Sequence, residues 1–182
     1  YKFDARLYTF RRQLLQQFLS VSRLPKPQQN DNSVLINLKN GTFEIDGSKM
    51  HLRKPDRNDF LTYQLPFPYD EKAECPIFDD YLNTVLPDIN RQKILAEYLG
   101  YLFIKTSVLK LEKSLVLYGT GANGKSVFFE IVNALLGGTE NVSNFSLQNL
   151  TNENGYFRSM LANKLVNYAS EINGKLETSI FK

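Results

Sequence analysis

Residues 114–136 carry three pieces in an order that few folds can absorb. Ser114-Leu-Val-Leu-Tyr118 is a short apolar run, Gly119-Thr-Gly-Ala-Asn-Gly-Lys-Ser126 is a glycine loop closing on a lysine and a hydroxyl, and Val127, Phe128, Ile131, Val132 and Leu135 then recur at helical spacing up to Gly137-Gly138. This order predicts a buried strand, a loop and a helix. Glycines at 119, 121 and 124 let the backbone curl so that successive N–H groups face phosphate oxygens, and the new helix brings its positive end to the same place. Lys125 adds a charge for the β- and γ-phosphates, and the Ser126 hydroxyl can complete a Mg²⁺ shell. Thr120, Ala122 and Asn123 fill out the loop, so Gly119 to Ser126 are the candidate ATP-binding residues. With glycine at ~7% of average usage, this pattern arises by chance in a chain of 182 residues on the order of 1% of the time. The bland alternative, a glycine turn with a surface lysine, is therefore the weaker one.

A phosphate loop of this kind works with an acid on a neighbouring strand, which holds the metal or orients the attacking water. Lys164-Leu-Val-Asn-Tyr-Ala-Ser-Glu171 is an apolar run ending in an acid, with a helix-like segment at Gly155–Leu161 before it. In a parallel sheet ligands sit at the carboxyl ends of strands, so Glu171 is expected beside the phosphates. Lys125 and Glu171 are the catalytic candidates, and Ser126 and Glu171, the latter directly or through water, the metal candidates. A solvated acid at a strand end is the competing interpretation of Glu171.

The remainder reads as a lead-in of mixed α+β type. Residues 1–30 hold six Lys/Arg against one acid, and Leu7, Phe10, Leu14, Phe18 and Val21 recur at three- and four-residue spacing, a basic amphipathic helix running into a Pro25/Pro27 linker. Its Arg6, Arg11 and Arg12 are candidate nucleic-acid contacts, weighed against a solvated face over a buried Phe/Leu stripe. Residues 31–75 form a small antiparallel β region. It comprises Val34–Leu38, Thr42–Ile45, Lys49–Leu52 and Phe60–Leu65, with Asn40-Gly41 and Asp46-Gly47 as hairpin turns. Residues 76–110 are a helical lead-in: one helix opens at Pro76, with Phe78, Leu82 and Val85 on one face, and is stopped by Pro87, and a second, more apolar helix carries Ile94, Leu95, Tyr98, Leu99, Leu102 and Phe103. Residues 111–182 are the expected nucleotide domain.

Cysteine and histidine are scarce: Cys75 and His51 are single. They exclude an internal disulfide and the usual Cys/His zinc sets, and leave a triad hydrolase without support. His51 reads as a strand-surface residue. No run approaches the 18 apolar residues of a membrane span and no signal peptide opens the chain, so the expectation is a cytoplasmic protein, inside its host cell, without a membrane partner.

Taken together, Gly119-Thr-Gly-Ala-Asn-Gly-Lys-Ser126 and Leu165-Val-Asn-Tyr-Ala-Ser-Glu-Ile172 resemble the phage and plasmid primase-helicases related to the poxvirus primase-helicase, within the superfamily-three helicases. Leu38-Lys-Asn-Gly-Thr-Phe43, Tyr69-Asp70, Ala73-Glu-Cys-Pro76 and Glu97-Tyr-Leu-Gly-Tyr101 look like the family's domain between primase and helicase, so the similarity spans nearly the whole chain. The resemblance implies an AAA+-like α/β P-loop ATPase that uses ATP and Mg²⁺, self-associates into a hexameric ring and unwinds DNA in the replication of a phage, plasmid or virus-like replicon. It makes Gly119–Ser126 the Walker A element and Glu171 the Walker B acid. Many P-loop ATPases carry two acids at the Walker B end where this chain has Ser170-Glu171. The later sensor, hairpin and arginine finger find no match.

Residues 111–182 suffice for about two βαβ units, against about five or six strands in a typical sheet. The chain also begins without Met and ends at Lys182 without a helix stop. An incomplete ATPase core in an excised fragment is expected, one that binds nucleotide and hydrolyses little. A P-loop phosphotransferase, or a non-enzymatic DNA-binding or docking module centred on residues 1–105, is the alternative.

Overall fold

The structure is a computed structural model that describes residues 6–22, 33–106 and 108–170. Helix α1, Tyr8–Val21, forms where the periodicity places it. Its apolar stripe is not buried, contrary to the solvated-face interpretation: no residue of α1 is buried, and Leu14 and Phe18 are 56% and 61% exposed. The Pro25/Pro27 linker lies outside the described residues.

Three short runs rich in β-branched and apolar residues then pair as an antiparallel meander: β1 Val34–Leu38, β2 Gly41–Asp46 and β3 Lys49–Arg53. The register moves both turns one residue from their expected places. Leu38 pairs with Gly41 around Lys39-Asn40, and Asp46 with Lys49 around Gly47-Ser48. Gly41 opens β2 opposite Leu38, and the position takes glycine because it passes β3 too closely for a side chain: a Cβ there would lie 2.4 Å from the Arg53 carbonyl. Gly47, with φ +57°, takes the left-handed turn position.

The expected fourth strand, Phe60–Leu65, does not form a ladder. A one-turn 3₁₀ helix at Arg57–Asp59 ends with Phe60 in the left-handed region, which breaks the extended chain before pairing could start. The segment hangs on β1 instead. The Leu65 backbone amide donates to the Asn37 carbonyl (2.8 Å), the Asn37 side-chain Nδ2 to the Tyr63 carbonyl (2.7 Å), and the Tyr63 hydroxyl to the Leu35 carbonyl (2.9 Å). Burial pushes the Tyr63 phenol well above its ordinary range.

Helix α2, Pro76–Val85, has Pro76 in its first turn, where the missing N–H costs nothing. Helix α3, Ile89–Tyr101, is capped by the Asp88 carboxylate, which accepts from the Asn90 amide at 2.9 Å. Of the apolar positions assigned to this helix, Leu95 is buried, Leu99, Leu102 and Phe103 pack beside it, and Ile94 is exposed.

Helix α4, Lys125–Leu136, starts at the lysine of the glycine loop and stops at the left-handed Gly137, as its pattern predicts. Beyond it lie β4 Val142–Ser143, α5 Leu147–Leu150, α6 Tyr156–Ser159 and β5 Val166–Asn167. Strands β4 and β5 pair in parallel, Val142 with Val166 and Ser143 with Asn167. Two short helices in the connection make this a crossover unit of the type parallel pairing requires.

The run Ser114–Tyr118 is the main departure in this half. It joins no ladder among the described residues, so the expected P-loop strand is absent as a paired element and no multi-stranded ATPase sheet is assembled there. Leu115 and Leu117 nevertheless pack against the core, while Val116 and Tyr118 are 63% and 97% exposed. Burial thus alternates with the period of a strand that has no neighbour. The architecture shown is a mixed α+β one, a three-stranded antiparallel sheet with several helices, and one core runs through it. Leu38 and Leu65 from the β region meet Leu95 from α3, Phe128, Val132 and Leu136 from α4, and Val142 from β4.

Candidate nucleotide site

The glycine loop is held in shape by its own residues and by α2. Gly119, Thr120, Gly121, Ala122 and Ser126 are exposed, and Asn123, Gly124 and Lys125 half-buried. Two consecutive reversals build the curl: Ala122 sits at φ +57° and Gly124 at φ +84°. Gly124 is the residue from which α4 springs, and no side chain caps that helix. The first N–H groups of a helix have no acceptor within the helix, and here the cap residue supplies none.

Lys125 folds back over the loop. Its Nζ donates to the Gly119 carbonyl (3.1 Å), the Thr120 carbonyl (3.2 Å) and Asn123 Oδ1 (2.5 Å), a cage of three oxygens around one ammonium. Asn123 also fills the space over Gly119, where a Cβ would lie 1.9 Å from its amide nitrogen. Gly121 has open space instead, with nothing within 4 Å of the position a Cβ would take.

Two residues that sequence spacing did not single out for this site reach it from α2. The Tyr81 hydroxyl donates to the Gly124 carbonyl at 2.8 Å, and a Cβ at Gly124 would lie 2.8 Å from Val85 Cγ1. Burial raises the Tyr81 phenol above its ordinary range. In the sequence Val85 reads only as part of the helix's core face, and 43 residues separate Tyr81 from Gly124. No local signal marks either as a neighbour of the loop.

The expected acid, Glu171, lies outside the described residues. The strand leading to it is present as β5, and its surroundings are ordered by side chains. Asn167 Oδ1 accepts from the Ser143 hydroxyl and the Phe145 amide, both at 2.9 Å, and its Nδ2 donates to the Phe145 carbonyl at 3.0 Å. Tyr168 stacks on Phe129 of α4 with ring centroids 3.9 Å apart, so the helix of the glycine loop and the strand before Glu171 are in direct contact.

Arg158, lying between the two motifs, is used by the backbone. Its guanidinium donates to the carbonyls of Leu150 (2.9 Å), Asn152 (2.6 Å) and Glu153 (3.5 Å), which closes the end of α5. Arg6, Arg11 and Arg12 are exposed at and near the start of α1, away from the glycine loop in sequence, and the Arg11 guanidinium donates to the Arg6 carbonyl at 3.4 Å. His51 lies exposed on β3. Among the described residues no group of three or more His, Cys, Asp and Glu is placed to hold a metal, and no helix is long and apolar enough to cross a membrane.

Comparison with known families divides the chain at the same place as its chemistry. Residues 1–87 match the family model described as D5 N terminal like, the N-terminal region of phage and viral primase-helicase proteins. Residues 117–182 match a family of unknown function. No curated protein matches the chain. The first match covers α1, the meander and α2, and relates that part to proteins that are replication enzymes. The second covers the glycine loop, α4 and β5.

Proposed function

We propose that the chain is part of an ATP-dependent DNA helicase of the primase-helicase kind, serving a phage, plasmid or virus-like replicon, with Gly119–Ser126 as its nucleotide loop. The observation that carries the proposal is the passage into α4. The left-handed Gly124 turns the chain so that the helix opens at Lys125, uncapped, with its amide donors and its lysine at the mouth of a glycine-lined loop. The match of residues 1–87 to the N-terminal region of primase-helicases supports the replication part.

A phosphate chain fits this loop. Gly121 leaves open space, α4 begins without a side-chain cap on its first amides, and the Lys125 ammonium is already held against oxygen acceptors that phosphate oxygens would replace. Mg-ATP supplies an activated phosphoryl group. With it bound, Lys125 would neutralise its charge, the Ser126 hydroxyl would serve the metal, and Glu171 would serve the metal or position water. DNA runs along Arg6, Arg11 and Arg12, ring formation comes from self-association, and the protein works in the host cytoplasm.

Titration calorimetry with Mg-ADP tests the loop. Lys125→Ala removes a charge-assisted interaction and is expected to weaken binding by about tenfold or more, with a melting temperature close to the parent's. Undiminished affinity would remove the nucleotide assignment. ATP turnover that ignores DNA in an active protein would favour a phosphotransferase, and turnover undiminished by Glu171→Gln would exclude that residue as the acid.

A further inference from the structure

The peptide unit between Gly124 and Lys125 carries two groups of opposite use. Its carbonyl points back toward α2, and because a trans peptide is planar, its N–H points the other way. That N–H belongs to the first residue of α4 and lies at the mouth of the loop. Whatever fixes the carbonyl therefore aims the amide.

Two donors fix it. The Phe128 amide donates to the Gly124 carbonyl at 2.9 Å as the first bond of α4, and the Tyr81 hydroxyl donates to the same oxygen at 2.8 Å from α2. Contact from the same helix holds the α-carbon as well. A Cβ at Gly124 would lie 2.8 Å from Val85 Cγ1 and 3.2 Å from the Tyr81 oxygen, so the glycine is seated directly on the step formed by those two side chains. The first bond is common to every helix. The second comes from a different helix, and it crosses from the segment matching the primase-helicase N-terminal family to the segment holding the loop.

We propose that Tyr81 is a positioning residue for the phosphate-binding loop: its hydroxyl orients the Gly124–Lys125 peptide so that the Lys125 amide meets a bound phosphate, and it thereby couples α2 to nucleotide occupancy. This rests on the nucleotide reading of Gly119–Ser126. Tyr81→Phe keeps the ring against Gly124 and deletes only the hydrogen bond. Tyr63→Phe is the matched control, since it deletes a hydroxyl bond to the Leu35 carbonyl of 2.9 Å in the same core but away from the loop.

The test measures the affinity for Mg-ADP and, without nucleotide, the melting temperature of the parent, Tyr81→Phe, Tyr63→Phe and Lys125→Ala. Tyr81→Phe is expected to bind about three- to tenfold more weakly, the range of one net hydrogen bond, while Tyr63→Phe lowers the melting temperature and leaves affinity unchanged. Equal affinity in Tyr81→Phe and the parent, or equal weakening in both tyrosine variants, would overturn the positioning role while loss of binding in Lys125→Ala keeps the nucleotide site. Parent-like binding by Lys125→Ala, or no binding by the parent, would overturn both. Should Tyr81→Phe fail to fold, hydrogen exchange of the parent decides it: Mg-ADP should slow exchange across residues 78–86 as well as 124–128, and protection confined to the loop and α4 would overturn the coupling.

Discussion

Gly124 shows how narrowly one residue can be specified from two directions. Its φ of +84° suits glycine and strains any side chain, and the approach of Val85 at 2.8 Å leaves no room for a methyl group. Gly124→Ala is therefore expected to lower stability by about 1–3 kcal/mol from the backbone conformation alone, with a steric contribution added. Adding Val85→Ala should recover the steric part and leave the conformational part, which urea denaturation of both variants would separate. Full recovery in the double variant would mean that the left-handed conformation costs nothing. Lys125 and Asn123 illustrate the other side of the loop: a charge and an amide hold it through bonds that no spacing rule anticipates, although the glycine loop itself was legible in the sequence.

Among elements, the meander is braced by one arginine. Arg53 Nε donates to Glu44 across β2 and β3 at 2.5 Å, and its two terminal nitrogens reach both oxygens of Asp59 at 2.9 and 2.7 Å, tying the 3₁₀ turn to the sheet. Hydrogen bonds from Arg53 hold both carboxyls below their ordinary range. In the unfolded chain these acids take up protons at higher pH than in the folded one. Their stabilisation is thus complete above about pH 5 and is lost as pH falls through the folded-state values. The melting temperature of the parent should drop more steeply between about pH 4.5 and pH 2.5 than that of Asp59→Asn; parallel curves would assign the acid sensitivity elsewhere. Helix α1 poses the opposite case, an element with no buried residue and Arg11 and Arg12 exposed. If it tracks single-stranded DNA, reversing both charges should weaken binding and reduce the slope of log affinity against log salt by about 1.4, or ~0.7 for each phosphate that is no longer neutralised. An unchanged slope would return α1 to a surface without a nucleic-acid role.

For the molecule as a whole, the two halves are joined by a common core and by polar bridges between distant segments. Buried Asn141 donates to the Leu136 carbonyl at 2.7 Å, ending α4, and to the Gln64 carbonyl at 3.1 Å, reaching into the β region. Asn141→Ala would leave both acceptors short of a donor and is expected to cost about 1–3 kcal/mol, with unfolding still a single transition because Leu38, Leu65, Phe128 and Leu136 share one cluster. Two transitions, or no loss of stability, would contradict that integration. Helices α1, α2, α3 and α4, the three-stranded meander and the glycine loop were legible from periodicity and motif, since each depends on residues close in the chain. Two segments came out otherwise: Phe60–Leu65 has strand composition and reads as a strand, yet the left-handed Phe60 and bonds to β1 decide its path, and two-residue β4 is too short to show a period and went unread. Ser114–Tyr118 has both the composition and the alternating burial of a strand, but a strand exists only when another supplies its hydrogen bonds, and that partner is a long-range matter. Sequence alone marked the candidate loop, because its glycines, its lysine and the onset of α4 are encoded within eight consecutive positions. Only the tertiary structure decided that Tyr81 and Val85 hold that loop, because their contact with Gly124 depends on how α2 packs, which the order of residues along α2 does not state.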